Sequence, residues 1–265
     1  MAMFRNITIG QYVPGSSFVH RLDPRTKILG ALLLIILLFL VGSFAGYGFA
    51  AVFVALVMYT SKIPVKFVLR GIRPLLIIII LTLTLNVFMT EGRELVRIAF
   101  LSITEEGLIR GGMMGIRLIL LVMGTSLLTL TTSPILLTDG IENLLSPGKR
   151  IGIPAHELAM MMTIALRFIP TLLEETEKIM KAQMARGADF ESGSLLQRAK
   201  NLIPLLVPLF INAFRRADDL AIAMEARGYR GGEGRTRFRE LEFRRVDGVT
   251  LVGIGVFVAA IGVWF

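Results

Sequence analysis

Ile28-Leu-Gly-Ala-Leu-Leu-Leu-Ile-Ile-Leu-Leu-Phe-Leu-Val-Gly-Ser-Phe44 carries no charged side chain and a single hydroxyl. As a helix, such a run sits at the short end of what crosses the hydrocarbon of a bilayer. It has little prospect of being hidden inside a water-soluble globule, because the rest of the chain competes for the same interior. Of 265 residues, 54% are hydrophobic and only 18% charged, with a mean hydropathy of +0.70. A globule of that size cannot cover so much apolar surface. Reading outward, further apolar runs occur at Tyr47–Tyr59, Pro74–Met89, Leu108–Leu130 and Val249–Phe265. The second reaches spanning length only by borrowing the turn around Gly46. The third starts at a proline, where the missing N–H costs a helix nothing. The last ends beside Trp264, a residue suited to the interface. The expected fold is therefore all-α: a polytopic membrane protein of about five transmembrane helices plus long amphipathic helices on the cytoplasmic side. The expected domains are a membrane part at 1–131, an interfacial helical part at 132–245 and a final transmembrane helix at 246–265.

Charge orients the spans. Arg5, Arg21, Arg25 and Lys27 precede the first, and Lys62, Lys66, Arg70 and Arg73 fill the loop after the second. Both basic stretches belong in the cytoplasm by the positive-inside rule. The loop holding Glu91, Glu94, Glu105 and Glu106 then lies outside, 133–246 returns inside, the N-terminus is cytoplasmic and the C-terminus external. The 27-residue lead and the renewed apolar character after Gly48 read as an uncleaved first hairpin, not a signal peptide. The same rule accounts for a net charge of +9 and a pI of 10.3 without nucleic acid as a partner.

Ile153–Arg186 and Leu195–Arg227 are helical by period, each apolar at first, interrupted by proline and charged at its end. Whether 155–169 and 202–214 cross the bilayer as a pair or lie along it stays open, since both arrangements leave the C-terminus outside. The segment Arg230–Arg245 reads as a solvated Gly- and Arg-rich connector.

Several chemistries are missing. Gly148-Lys149 is followed by arginine, so there is no P-loop. His156-Glu157 lacks a second histidine four residues on. Without cysteine, disulfides and thiolate metal sites are excluded. The proposed spans contain no acidic residue, which removes the usual equipment of proton- or sodium-coupled carriers. Arg117 lies deepest among the charges, with no partner evident in the sequence. Gly111, Gly112 and Gly115 form a small-residue face for close helix packing. No metal, cofactor, substrate-binding or catalytic residue is expected.

One signal is sharper. Ala182-Gln-Met-Ala-Arg-Gly187 and Ala223-Met-Glu-Ala-Arg-Gly228 align at an offset of 41 residues, each closing a charged helical stretch. A glycine just past a helix end and a cation in the last turn are ordinary stop signals. Those signals do not explain why the same triplet closes both helices. An arginine fork on a protruding end suits an acidic groove on another protein.

These two endings, together with Gly10-Gln-Tyr-Val-Pro-Gly-Ser-Ser-Phe-Val-His-Arg-Leu-Asp-Pro-Arg-Thr-Lys27, Leu166-Arg-Phe-Ile-Pro170 and Arg215-Arg-Ala-Asp-Asp-Leu220, resemble the transmembrane T component of energy-coupling factor (ECF) importers, the EcfT/CbiQ-like proteins. The resemblance covers nearly the whole chain. It implies a coupling scaffold in a prokaryotic cell membrane, joining two ABC-type ATPases to one small substrate-binding membrane subunit. ATP hydrolysis would then drive uptake of a vitamin or transition metal. It implies that Ala185, Arg186 and Gly187 dock in one ATPase and Ala226, Arg227 and Gly228 in the other, with ATP and Mg held by those partners and no cofactor in this chain. The choice of vitamin or metal would rest with the separate binding subunit. A conventional ABC-importer permease is the rival reading, and it would line a substrate path with polar residues inside the spans.

Overall fold

The computed structural model describes residues 12–98, 101–190, 194–231 and 241–264. The residues before Tyr12 and the connector residues 232–240 lie outside the described set. Among the described residues the chain is all-α apart from one small hairpin. It divides into two compact units, one drawn from Gly10–Leu144 with Leu241–Phe265 and the other from Leu145–Glu240.

In the first unit a single turn, α1 (Phe18–Arg21), leads into α2 (Pro24–Leu40), then α3 (Phe44–Ser61), α4 (Val65–Ile72) and α5 (Leu76–Met89). A short antiparallel hairpin, β1 (Glu94–Ile98) with β2 (Leu101–Thr104), precedes α6 (Glu105–Thr131). α7 (Pro134–Leu145) and the closing α10 (Arg245–Trp264) complete the unit. Four described helical stretches here are long and apolar enough to cross a membrane: Phe44–Ser61, Val65–Met89, Glu105–Thr131 and Arg245–Trp264. α2, with 17 residues, is at the lower limit of spanning length. Its charge-free face packs into the middle of the unit.

The helix starts differ from the runs read in the sequence by a few residues, for local reasons. Asp23 accepts from the Arg25 amide at 2.8 Å and caps α2, which starts at Pro24, four residues before Ile28. Val41, Gly42 and Ser43 are extended or turn residues, and Ser43 caps α3 by accepting from the Gly46 amide. The apolar run 28–44 thus holds a helix end as well as a helix, a break that hydrophobicity alone does not mark. A 3-10 turn at Arg73–Leu75 carries α4 straight into α5. The hairpin was not foreseen, and neither was α7.

α6 is the hub, packed against α2, α3, α4 and α5, while α10 packs on α2. The core joins Leu34, Leu37 and Leu38 of α2 to Tyr47, Ala50 and Val54 of α3, to Leu120, Leu127 and Leu130 of α6 and to Val258 and Ile261 of α10. Of the small-residue face read on α6, Gly111 and Gly115 are buried, while Gly112 stands aside, with only the tip of Phe44 within 4 Å of a Cβ there. A Cβ on Gly107 would stand 2.8 Å from the Asn86 carbonyl, and one on Gly111 would meet the Leu83 carbonyl at 3.4 Å. Outward faces, such as Ile77, Ile80 and Leu81 of α5, are exposed aliphatics, the surface a helix presents to lipid.

Polar residues at the helix ends fasten this bundle. Arg25 grips Asp23 through Nε and Nη2, both at 3.0 Å, and its Nη2 also donates to the Leu241 carbonyl. Buried Asp247, in the first turn of α10, accepts from the amides of Asp23 at 2.8 Å and Arg244 at 3.0 Å. Lys27 donates to the carbonyls of His20 and of Thr131, the last residue of α6. Arg25 and Lys27, read in the sequence as topological charges, are therefore also internal fasteners.

Candidate docking ends of the second unit

The second unit contains a 3-10 turn at Ser146–Ile151 and two long helices, α8 (Ala155–Ala185, 31 residues) and α9 (Leu195–Ala226, 32 residues). Each runs unbroken through its prolines, Pro170 in α8 and Pro204 and Pro208 in α9. α8 also qualifies by length and composition as a membrane-crossing helix. α8 is apolar in its first half and charged in its second, with its buried residues Ala155 and Ala159 in the first turns, whereas most of the apolar stretch of α9 is exposed and Leu205 alone is buried among its described residues.

The two endings are built alike. Arg186 is the cap residue of α8, with φ −88° and ψ 6°, and Arg227 holds the same place on α9, with φ −89° and ψ 9°. The next residues, Gly187 and Gly228, are left-handed, with φ +89° and +69°. The Gly187 amide donates to the Met184 carbonyl and the Ala188 amide to that of Gln183, both at 3.0 Å. On α9, the Gly228 amide donates to Glu225 at 2.8 Å and the Tyr229 amide to Met224 at 3.0 Å. These are two copies of one Schellman closure, in which the terminal carbonyls are satisfied by the chain turning back over them. Nothing lies within 4 Å of the place a Cβ would occupy on either glycine. The glycines are required by backbone conformation, not by crowding.

Folding the chain back at the cap leaves the arginine exposed at the turn. Ala185, Arg186 and Gly187 are exposed, and so are Ala226, Arg227 and Gly228. The four ion pairs found among the described residues involve neither arginine. The alanine before each cap adds only a methyl group, which leaves the guanidinium fork unobstructed.

The structure does not bring the two triplets together. Asn201 donates to the Asp189 carbonyl at 2.5 Å, Arg216 pairs with Glu175, and Tyr229 Oη lies 3.5 Å from His156 Nε2. Ascending positions on one strand of these contacts meet descending positions on the other, so α8 and α9 are antiparallel. Glu175 and Arg216 are 41 residues apart, the same offset that relates the two Ala-Arg-Gly endings. Residues equivalent in a repeat can meet across an antiparallel pair only at a local two-fold axis. Each docking arginine lies 11 residues beyond that contact, so at 1.5 Å per residue the two stand roughly 33 Å apart, pointing in opposite directions.

The sequence reading missed the Glu175–Arg216 contact, although its spacing was already visible in the repeat. His156, considered there for a zinc site, is a neighbour of Tyr229, and no cluster of potential metal ligands exists among the described residues. Arg117, left without a partner, finds one in the first unit: its Nε donates to the Tyr47 hydroxyl at 2.8 Å. A cavity of about 220 Å³ in that unit is walled mainly by aliphatic and aromatic groups such as Leu34, Val54, Leu127 and Ile254, with Lys27 and Thr131 at its edge.

Comparison with known proteins places these features in a family. The model of the cobalt transport protein family CbiQ matches residues 15–238. Proteins described as "Energy-coupling factor transporter transmembrane protein EcfT" align over almost their entire length. That of Thermosediminibacter oceani is 64% identical over 252 residues, 95% of each chain. That of Clostridium kluyveri is 60% identical over 247 residues, 92% of each. That of Bacillus subtilis is 48% identical over 258 residues, 97% of each.

Proposed function

This chain belongs to the CbiQ/EcfT family of energy-coupling factor transporter transmembrane components, and on that premise we propose that its twin helix ends dock it to two ABC-type ATPases. As a family member it is a non-enzymatic membrane subunit of a transporter, working in a complex with other subunits. The finer reading assigns Arg186, flanked by Ala185 and Gly187, to a groove on one ATPase, and Arg227, flanked by Ala226 and Gly228, to a groove on the other. ATP and Mg belong to those partners. A small membrane subunit holds the vitamin or transition metal, and ATP-driven movement of the ATPases reaches it through α8 and α9. The N-terminus lies in the cytoplasm and the C-terminus outside.

The observation that carries this reading is the pair of identical closures on opposite ends of an antiparallel helix pair, each presenting an exposed arginine. Two forks roughly 33 Å apart cannot enter one groove. A partner with two equivalent grooves fits them, and the planar, permanently charged guanidinium suits paired carboxylates in each.

The test is co-purification of the reconstituted transporter. Arg186→Ala with Arg227→Ala should abolish ATPase association and uptake while the membrane unit stays folded, and either change alone should cost less. Arg-to-Lys at both positions should also impair association if fork geometry matters. Undiminished transport in the double alanine variant would refute the docking assignment.

A further inference from the structure

The docking reading makes no use of the contact on the local axis. Glu175 and Arg216 occupy equivalent positions of α8 and α9 and form an ion pair between the two helices. The Glu175 side chain is 18% exposed and that of Arg216 36%. The second carboxylate oxygen of Glu175 is buried without a hydrogen-bond partner among the described residues. Arg216 is thus the cation that neutralises it.

We propose that Glu175 and Arg216 are a positioning pair, the pivot that holds α8 on α9 and thereby sets the distance and opposed direction of Arg186 and Arg227. Its consequence for transport rests on the docking reading, whereas the pivot itself does not. The repeat carries the argument. Were the two helices identical, the axis would bring like residues face to face, and two carboxylates or two guanidinium groups would repel. Here the repeat diverges in charge: Glu174-Glu175 on α8 corresponds to Arg215-Arg216 on α9. The position where equivalence would be unfavourable is the position where the two copies carry opposite charge.

A second reason is mechanical. A contact on the axis is equidistant from both ends, so a slide of α9 along α8 displaces Arg186 and Arg227 symmetrically. Elsewhere the pair is held differently at its two ends, by Asn201 with Asp189 at one and Tyr229 with His156 at the other. A side-chain ion pair at the centre opposes slippage while leaving each end free to follow its own partner. An ordinary exposed ion pair would add little to stability and set no geometry, and the two roles predict different results.

The chain contains no cysteine, so Lys181→Cys and Ile222→Cys, exposed and equivalent in the repeat, can carry the only two spin labels. In the full-length chain in lipid nanodiscs, the pivot predicts one narrow inter-label distance distribution. Glu175→Arg should broaden it or shift it by about one helical turn, roughly 5 Å, and adding Arg216→Glu should restore it. Glu175→Gln, which keeps the shape and removes the charge, should broaden it to a lesser degree. In the assembled transporter, Glu175→Arg should lower uptake per ATP hydrolysed by about tenfold with the ATPases still bound, and the swapped pair should recover it. An unchanged distribution and coupling ratio in the single variants would overturn the proposal, as would a swap no better than the single reversals. If Arg186→Ala with Arg227→Ala leaves the ATPases bound while the label distances behave as stated, the docking reading falls and the pivot stands.

Discussion

Arg117, midway along α6, donates its Nε–H to the Tyr47 hydroxyl at 2.8 Å, and Tyr47 in turn donates to the Val41 carbonyl at 3.1 Å. Val41 is the cap residue of α2, and Arg117 Nη2 reaches the same carbonyl at 3.4 Å. The guanidinium also stands over the rings of Phe39 and Tyr47. A charge placed deep in an apolar helix is thus met by the negative end of a helix dipole, a phenol and two aromatic faces.

Removing this arginine should loosen the α2–α3 turn from α6. Arg117→Ala is expected to cost about 2 kcal/mol and Tyr47→Phe about 1 kcal/mol, since a hydrogen bond from a charged donor exceeds a neutral one. Thermal unfolding of the detergent-solubilised chain measures both. Because the groups form one network, the double variant should cost less than the sum.

Asp247 should matter for the bundle more than its place at the start of α10 implies. It accepts two amides, those of Asp23 and Arg244, and is 2% exposed. Asp247→Ala strands both donors and is expected to lower stability by about 2–4 kcal/mol. Asp247→Asn keeps one acceptor and should cost about half of that. Proteolysis near residue 241 should speed up in the alanine variant, because the junction leading into α10 loses its anchor.

Two neighbouring glycines of α6 should respond in opposite ways. A Cβ on Gly107 would press on the Asn86 and Val87 carbonyls at 2.8 and 2.9 Å, whereas on Gly112 it would meet only the tip of Phe44 at 3.9 Å. Gly107→Ala should therefore push α5 from α6 and reduce folded yield. Gly112→Ala should be neutral or stabilising by up to about 1 kcal/mol, the helix propensity gained. Equal behaviour at both positions would contradict the packing described.

The closing glycines should be sensitive to conformation alone. Gly187→Ala and Gly228→Ala place a side chain in open space but in the left-handed region, a strain of about 1–2 kcal/mol each. Asparagine tolerates that conformation better. ATPase association measured by pull-down should rank Gly above Asn above Ala at both positions, with the membrane unit unaffected.

Much of this protein was legible before folding. The apolar runs, the small-residue face of α6 and the twin Ala-Arg-Gly endings are local patterns, and local patterns declare helices and their stops through hydrophobicity, glycine and proline. The run Ile28–Phe44 shows the limit. Its composition marks apolar residues but not the turn at Val41–Ser43, which Ser43 and the Gly46 amide define together. The hairpin before α6 escaped notice because its pairing depends on partners in a second strand, not on a period along one helix.

The sequence by itself determined that the chain is a membrane helix bundle with two long helices ending in the same exposed triplet, since hydropathy and helix termination act over neighbouring residues. Only the tertiary structure decided that those ends point apart, that Glu175 meets Arg216 on a local axis, that Arg117 rests on the end of α2, and that Asp23 finds Asp247 across 224 positions. The last three are electrostatic contacts between groups far apart in the chain, and the first follows from the antiparallel packing of α8 and α9. The energy of such a contact depends on the distance that packing imposes, and no residue spacing encodes that distance.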